Sequence, residues 1–406
     1  MEVLTIIYLV YTFIAFYLLN IYIITYIQNK REINHAPEIK KNYSLSIVVP
    51  CYNEEQSIGK NIMALLSSDY PNLKKIIIVD DCSTDSSYKI IKEFAKKYPQ
   101  VIALRTPKNT GCAGGAKNFG AKYADTELIG FSDADSFPDK CAISKMVGYF
   151  NDKDVGAVTS RVLVKNKNNF LSKIQAIEYK VIAFTRKILE FLDSIYVTNG
   201  PLSIYRIKAF KQTGFDEKNL TEDIELTWNV VSRGWKVKIS MPAIVYTVVP
   251  EKISKWFKQR LRWNVGGMQT VQKYYKKITK CGMLGLFVIP LFTISWILGL
   301  SGLFFLGYRI FQWILVRYLS AKFAFAYQIS IVSAEQFNLN PSILFFLGIV
   351  LISLGMAFTF AALFYSKEKS RTSILDIFIY AFFYLLMYPP LLIISFYKLI
   401  KKDMKW

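Results

Sequence analysis

Histidine is almost missing from this chain: His35 is the only one in 406 residues, and it sits in a polar linker. Its isolation excludes Ser-His-Asp and Cys-His machinery and histidine-ligated metals, so any catalysis rests on carboxylates. Cysteine is scarce too. The five present, Cys51, Cys82, Cys112, Cys141 and Cys281, form an odd set without paired CxxC spacing. That excludes a disulfide framework and a zinc ribbon and leaves reduced packing residues. Acids are outnumbered, 30 against 51 Lys and Arg, for a net charge of +21. The basic residues are spread along the chain and bunch beside apolar segments without a recognised nucleic-acid motif, so nucleic acid is set aside. Anionic membrane lipids and a diphosphate substrate account for the charge instead. Internal repeats and low-complexity tracts are also lacking.

Apolar length is what the chain has in excess, at 52% hydrophobic residues. From Met1 to Ile27 there is no Lys or Arg, and at about 1.5 Å per residue such a run spans a bilayer. Residues 1–28 are therefore expected to be a transmembrane helix. A cleaved signal peptide would want a basic start, a shorter apolar stretch and a small-residue cleavage site. Lys30, Arg31, Lys40 and Lys41 follow directly, which places the polar domain in the cytosol and makes the protein a multi-pass cell-membrane protein. Apolar composition returns at 283–318, 341–365 and 373–397. The first run is too long for one span, and Gly299 to Gly302 is expected to break it. Residues 282–400 thus hold three or four helices. Four spans return Lys398, Lys401, Lys402 and Lys405 to the cytosol; three leave Lys367, Lys369 and Arg371 there.

Residues 29–250 alternate short β-rich and helical runs. Leu45 to Val49, Lys75 to Val79, Val101 to Arg105 and Leu128 to Phe131 read as strands, with Ser57 to Leu66 and Ser86 to Tyr98 as crossover helices, the second capped by Asp85 or Ser83. This is an α/β pattern with a mostly parallel sheet, whose ligands bind beyond the carboxyl ends of the strands.

The polar clusters lie at those ends. Pro50-Cys51-Tyr52-Asn53-Glu54-Glu55 closes the first strand and Asp80-Asp81-Cys82-Ser83 the second. A carboxylate there can accept the imide hydrogen of uracil or a ribose hydroxyl, although Asp and Asn also favour strand ends as local caps. After the third strand, Asn109 to Asn118 is glycine-rich and carries Lys117 where an anion could rest; glycine before a helix also serves geometry alone. Asp133-Ala134-Asp135 follows the fourth strand, and its outer carboxylates can share a divalent cation, Mg²⁺ or Mn²⁺ by ligand hardness. Its other reading is an acidic turn before Pro138. Thr221-Glu222-Asp223 precedes a helix to Arg233, where the dipole stabilises acids in any case. With no histidine to serve, Asp223 is the expected general base, Glu222 standing beside it.

From Glu251 to about Gln272, within the segment 251–281, the chain reads as an interfacial amphipathic helix. Ile253, Phe257, Leu261, Val265 and Met268 fall on one arc, and Trp256, Gln259, Arg262 and Trp263 on the other, with Arg260 at its margin. Basic residues and an aromatic anchor on such a helix suit a membrane surface. A guanidinium fork, an amide and an indole together also suit a leaving diphosphate and a sugar face.

Taken in order, Asp80-Asp81, Asp133-Ala134-Asp135, Thr221-Glu222-Asp223 and Gln259-Arg260-Leu261-Arg262-Trp263 resemble the processive family-2 membrane glycosyltransferases. These are the cellulose, chitin and hyaluronan synthases and, nearest in pattern, the bacterial poly-N-acetylglucosamine synthases. The likeness covers about residues 44 to 275 and the membrane layout. It implies a GT-A fold and an inverting hexosyltransferase that moves N-acetylglucosamine or glucose from a UDP-sugar to a growing β-linked polysaccharide. Carried over by position, Asp81 with Asp80 would hold uracil, beside Pro50, Tyr52, Asn53 and Glu54. Asp133 and Asp135 would hold the diphosphate and metal. Gln259, Arg260 and Arg262 would close over the pyrophosphate, and Trp263 with Asn199 and Gly200 would place the acceptor. Cys112 stands where the family often has a lysine, a contact that Lys117 would have to supply. A non-processive lipid glucosyltransferase of the ceramide type has closely similar motifs, so the acceptor is a polysaccharide or a lipid. The identity of any export partner stays open. A transporter with a regulatory nucleotide domain fits less well, because few ionisable residues enter the apolar runs.

Overall fold

The computed structural model describes residues 3–327, 343–365 and 373–401. After α1 (Val3–Asn29) come β1 (Leu45–Cys51), α2 (Ile58–Leu66), β2 (Leu73–Asp80), α3 (Ser87–Lys97) and β3 (Val101–Arg105). The chain continues through α4 (Ala113–Ala121), β4 (Leu128–Phe131), β5 (Ser136–Pro138), α5 (Ser144–Val147), β6 (Val155–Val164), α6 (Phe170–Glu190) and β7 (Ser203–Arg206). Then follow α7 (Ile207–Lys211), α8 (Glu222–Ser232), β8 (Lys236–Thr247), α9 (Ile253–Tyr274), α10 (Ile289–Tyr327), α11 (Ile343–Tyr365) and α12 (Ile374–Lys401).

Alternation along the central strands decides the layering. Ile47 and Val49 of β1 and Ile76 and Ile78 of β2 join one buried cluster, while Val48, Ile77 and Val79 join another on the opposite face. Both faces are covered, as the long apolar runs of a parallel sheet require. Ile58, Ile62 and Leu65 of α2 and Ile91 of α3 cap the first face; Ala116 of α4 and Ala183, Phe184 and Ile188 of α6 cap the second. Gly120 of α4 lies against Val48 and Val79, so a side chain there would hold the helix off the sheet. Part of the glycine richness of this segment therefore serves close packing.

The strands form one sheet in the order β3-β2-β1-β4-β7-β6-β8-β5. Pairs β3/β2, β2/β1, β1/β4 and β6/β8 are parallel; β4/β7, β7/β6 and β8/β5 are antiparallel. The sheet is mostly parallel, and the carboxyl ends of β1 and β4 lie side by side. Ser86 occupies the cap position of α3 without a side-chain bond of its own, while Asp85 Oδ1 accepts the Ser87 amide at 2.9 Å.

Among the described residues three helices are long and apolar enough to cross a membrane, Leu9–Asn29, Leu284–Ala326 and Ile374–Lys401, with a shorter apolar helix over Ile352–Tyr365. The expected break at Gly299 to Gly302 does not occur, and α10 runs unbroken past both glycines. Gly299 instead permits contact, since a Cβ there would lie 3.1 Å from Leu392 Cδ2 of α12. Helix-facing small residues of this kind let two apolar helices approach. Lys367, Lys369, Arg371, Lys402 and Lys405 lie outside the described residues.

The arcs of α9 also differ from expectation. Leu261 and Val265 are buried in one cluster with Leu171 of α6 and Leu391 of α12, so this part of the apolar arc is covered by protein instead of lipid. Trp256, assigned to the polar arc, is fully buried in the same cluster and meets Phe383 edge-on at 5.1 Å. Ile253, assigned to the apolar arc, is 51% exposed. A helical wheel separates polar from apolar positions; it does not say whether a neighbouring helix or a bilayer covers them.

Candidate active site

A cavity of about 860 Å³ opens beyond the carboxyl ends of β1 and β4, walled by α6, the N-terminus of α8, α9 and parts of α10 and α12. Pro50, Tyr52 and Glu54 reach it from the end of β1, and Asp81 from the end of β2. Asp133 and Asp135 reach it from β4, Glu222 and Asp223 from α8, and Asn199 and Gly200 from the turn before β7. Lys117 of α4 and Gln259, Arg260, Arg262 and Trp263 of α9 complete this set. Residues far apart in the chain thus meet in one place.

Two of the expected residues stand outside the wall. Asp80 is fully buried, receives Arg105 Nε at 3.2 Å and accepts the Ser83 amide at 3.3 Å. Its carboxylate closes the strand end and has no access to a base in the cavity. Asn53 takes φ 55°, a left-handed conformation that asparagine tolerates, and its Oδ1 accepts Thr84 N at 2.8 Å. It forms the turn.

Asp81 is at the wall but already engaged, accepting Thr106 Oγ1 and Thr110 Oγ1 at 2.8 Å each and the Thr110 amide at 3.0 Å. It anchors the loop that leads into α4. Cys112 caps that helix, its sulfur accepting the Gly115 amide at 3.4 Å. Lys117 does not replace it as an open anion donor. Its ammonium is buried between Glu222 Oε1 at 3.0 Å and Asp133 Oδ1 at 3.3 Å. Burial alone would lower the Lys117 pKa, yet Asp133, Glu222 and Asp223 raise it, so the lysine stays charged.

The acids differ by their neighbours. Burial would raise Glu222, but Lys117 and Arg262 hold it below its usual range. Asp223 has no direct ion pair among the described residues, and burial together with Glu222 pushes its carboxyl up to about 6. Burial, then the nearby Asp133 and Glu54, push Asp135 up to about 7. Asp135 Oδ1 accepts the Ser136 hydroxyl at 3.2 Å, and no ion pair reaches it among the described residues. Two cavity carboxylates at the end of β4, one of them short of positive partners, make a fitting oxygen donor set for a hard divalent cation whose other ligands come from a diphosphate and water. Among the described residues no cluster of three or more His, Cys, Asp or Glu forms a cation cage by itself.

Several positioning groups escaped sequence reasoning. Asn61 of α2 is fully buried and donates Nδ2 to Asp133 O at 3.0 Å and Ser136 O at 2.6 Å, fixing the Asp133–Asp135 turn. The signal was an asparagine on the otherwise apolar face formed by Ile58, Ile62 and Leu65. Ser132 Oγ donates to Pro201 O at 2.7 Å, which draws the Asn199–Pro201 turn onto β4. There a Cβ on Gly200 would intrude on the Asp133 carboxylate, 2.9 Å from Oδ1. Arg262 Nη1 donates to Leu220 O at 3.1 Å, tying α9 to the approach of α8. Arg260, expected over a pyrophosphate, is instead committed to Glu178 of α6, and its guanidinium lies 4.1 Å from the Trp263 ring centroid.

Comparison with known proteins bears on the domain that carries this cavity. Residues 46–214 match the sequence model of "Glycosyl transferase family 2". The chain is 31% identical over 260 residues to a poly-beta-1,6-N-acetyl-D-glucosamine synthase of Staphylococcus epidermidis, covering 62% of each protein. It is 28% identical over 280 residues to the enzyme of that name from Staphylococcus aureus strain COL, covering 68% of this chain and 66% of the relative. The matched part thus spans 62% of the length of the first relative. Among solved structures, a mannosyltransferase from Pyrobaculum calidifontis in complex with GDP-Man and Mn²⁺ shares the fold at TM-score 0.57 and 17% identity over 97% of both chains. Residues 46–214, which match the glycosyl transferase family 2 model, thus lie on a mixed α/β sheet of GT-A type.

Proposed function

We propose that the protein is an inverting membrane glycosyltransferase that moves N-acetylglucosamine from its UDP conjugate to a growing β-linked polysaccharide. One observation carries the reading: a single cavity joins strand-end acids suited to a nucleotide diphosphate, an Asp223 carboxylate without an ion pair among the described residues and the Trp263 face of α9. The sugar is supported by the names of the staphylococcal relatives, and the UDP conjugate follows from the strand-end acids that suit a nucleotide diphosphate.

In the reaction, the Asp223 carboxylate takes the proton of an acceptor hydroxyl as that oxygen attacks the anomeric carbon. The bond from that carbon to the diphosphate breaks on the opposite face, which inverts the configuration, and UDP departs. Glu222 remains ionised beside Lys117 and keeps Asp223 basic. Arg262 faces the leaving diphosphate with its remaining donors. Trp263 supplies an indole surface for the acceptor sugar, with Asn199 and Gly200 across the cavity. A divalent cation bound by Asp135 and Asp133 would offset the charge developing on the diphosphate. The relative in complex with GDP-Man and Mn²⁺ supports that kind of cofactor.

The same reading divides the chain into an N-terminal spanning helix at 1–28, a cytosolic GT-A domain at 29–250, the α9 segment at 251–281 and C-terminal spanning helices at 282–400. Lys30, Arg31, Lys40 and Lys41 beside α1 support a cytosolic domain in a multi-pass protein.

Purified membranes incubated with UDP-N-acetylglucosamine, UDP-glucose and GDP-mannose test the proposal by nucleotide release and product size. Long polymer from UDP-N-acetylglucosamine is the expected product, lost in excess chelator and in Asp135→Asn. Transfer of a single sugar to lipid would favour the ceramide-type alternative, and full turnover in chelator would remove the metal from the mechanism.

A further inference from the structure

We propose that Glu178 of α6 is a positioning residue for transfer: its carboxylate fixes Arg260, whose guanidinium in turn sets the Trp263 ring and the Gln259 amide on the cavity wall. This rests on the function proposed above but assigns work to a residue outside the sequence motifs.

Glu178 and Arg260 come from different helices and are nearly buried, with side chains 9% and 7% exposed. Two parallel bonds join them, Arg260 Nε to Glu178 Oε1 at 3.1 Å and Nη2 to Oε2. Such a fork defines the plane of the guanidinium as well as its position. The remaining nitrogen, Nη1, donates to Gln259 Oε1 at 2.6 Å. With its carbonyl engaged, Gln259 offers a ligand its NH₂. The guanidinium carbon lies 4.1 Å from the Trp263 centroid and 5.8 Å from that of Trp256. At the shorter distance a cation holds an indole by attraction to its ring, more strongly where water is excluded.

Burial of the pair would be a costly way to gain stability alone, because desolvation offsets most of the attraction between two such charges. A bidentate pair whose third donor and flat face both touch cavity-lining residues has a use beyond holding two helices together. It gives Trp263 one orientation before any acceptor arrives, and small errors in such placement cost about 10² in rate.

The test compares Glu178→Asp, Glu178→Gln and the charge-swapped double variant Glu178→Arg with Arg260→Glu in full-length protein in membranes. Sugar transfer, UDP released per sugar transferred, donor KM and thermal stability are measured together. Glu178→Asp retains the charge and is expected to stay folded. Transfer should fall at least about tenfold in it and further in Glu178→Gln, with donor KM changed less than about threefold and more UDP lost to water. The swap restores a buried ion pair but takes the cation from beneath Trp263, so it should recover thermal stability without recovering transfer. Recovery of both would reduce the pair to a structural tie and overturn the proposal, as would wild-type transfer by Glu178→Gln. A second readout is independent of turnover. Trp263 emission, taken as the difference between each protein and its Trp263→Phe counterpart, should shift in Glu178→Asp and in the swap. An unchanged difference spectrum in both also overturns the proposal. Should the wild-type protein transfer no sugar, the proposed function falls while the emission comparison still decides the role of Glu178.

Discussion

Glu222 and Asp223 are adjacent in the chain and both line the cavity, yet Lys117 reaches only Glu222. This asymmetry gives two neighbouring acids different chemistry, one held ionised and the other pushed up to about 6. A base with that pKa is ionised at neutral pH and still takes a proton readily. Transfer is therefore expected to rise with pH along an acid limb near 6, and Asp223→Asn should abolish the limb and lower transfer by about 10² or more while UDP still binds. The same shift predicts a stability effect of opposite sign. The folded-state pKa of Asp223 lies above its unfolded value, so stability is lost as pH rises from about 4 through about 6. Asp223→Asn should thus raise the thermal midpoint relative to wild type at pH 7.5 and not at pH 4.5, a comparison that needs no substrate. At this scale the motif acids were legible because carboxylates at strand and helix ends stand out in a chain with one histidine. Lys117 was seen but misplaced, since its role depends on Asp133 and Glu222 arriving from other elements. The enclosure of Asp80 was hidden for the same reason: Arg105 belongs to the next strand.

Elements carry their own signals, and their neighbours decide what those signals mean. The bounds of β3 and β4 match the sequence reading because their apolar runs stop at polar turns, whereas β6 is buried throughout although it contains Thr159, Ser160 and Arg161. Hydropathy along that strand gave no clear alternation to read. In α9 the polarity pattern was legible but its surroundings were not, since α12 and α6 cover Leu261 and Val265. Leu261→Asp should therefore separate α9 from α12 and lower the amount of folded protein, because a buried carboxylate there has no partner. Trp263→Ala leaves that contact intact. It should keep folded, membrane-bound protein that releases UDP but makes little or no polymer. Measuring transfer in matched amounts of both variants separates these effects, and normal-length product at normal rate from Trp263→Ala would refute the stacking role.

At the scale of the whole molecule, the apolar helices and the mixed sheet meet through α6. Phe184 is fully buried beneath three aromatic rings, with centroids of Tyr26 from α1 at 5.8 Å, Phe358 from α11 at 5.2 Å and Tyr365 from α11 at 5.8 Å. Its own cluster extends to Ile129 of β4 and Tyr205 of β7, two of the strands whose ends build the cavity. The helix that carries Phe184 also carries Glu178 and Arg186 on the cavity wall. A single helix thus touches both the apolar helices α1 and α11 and the site. None of this was legible as connectivity, because hydropathy finds spanning helices one at a time and says nothing of which soluble helix they touch. Phe184→Ala should leave insertion unchanged, since the spans are set by their own apolar length. It should instead cost about 3–5 kcal/mol of packing where three elements converge. The expected result is normal membrane recovery with a lower thermal midpoint and faster loss of transfer on warming than in wild type. Phe184→Leu, which retains most of the volume, should recover most of the difference. Equal thermal inactivation of Phe184→Ala and wild type would mean that α1 and α11 merely rest on the domain, and that the cavity keeps its shape without them.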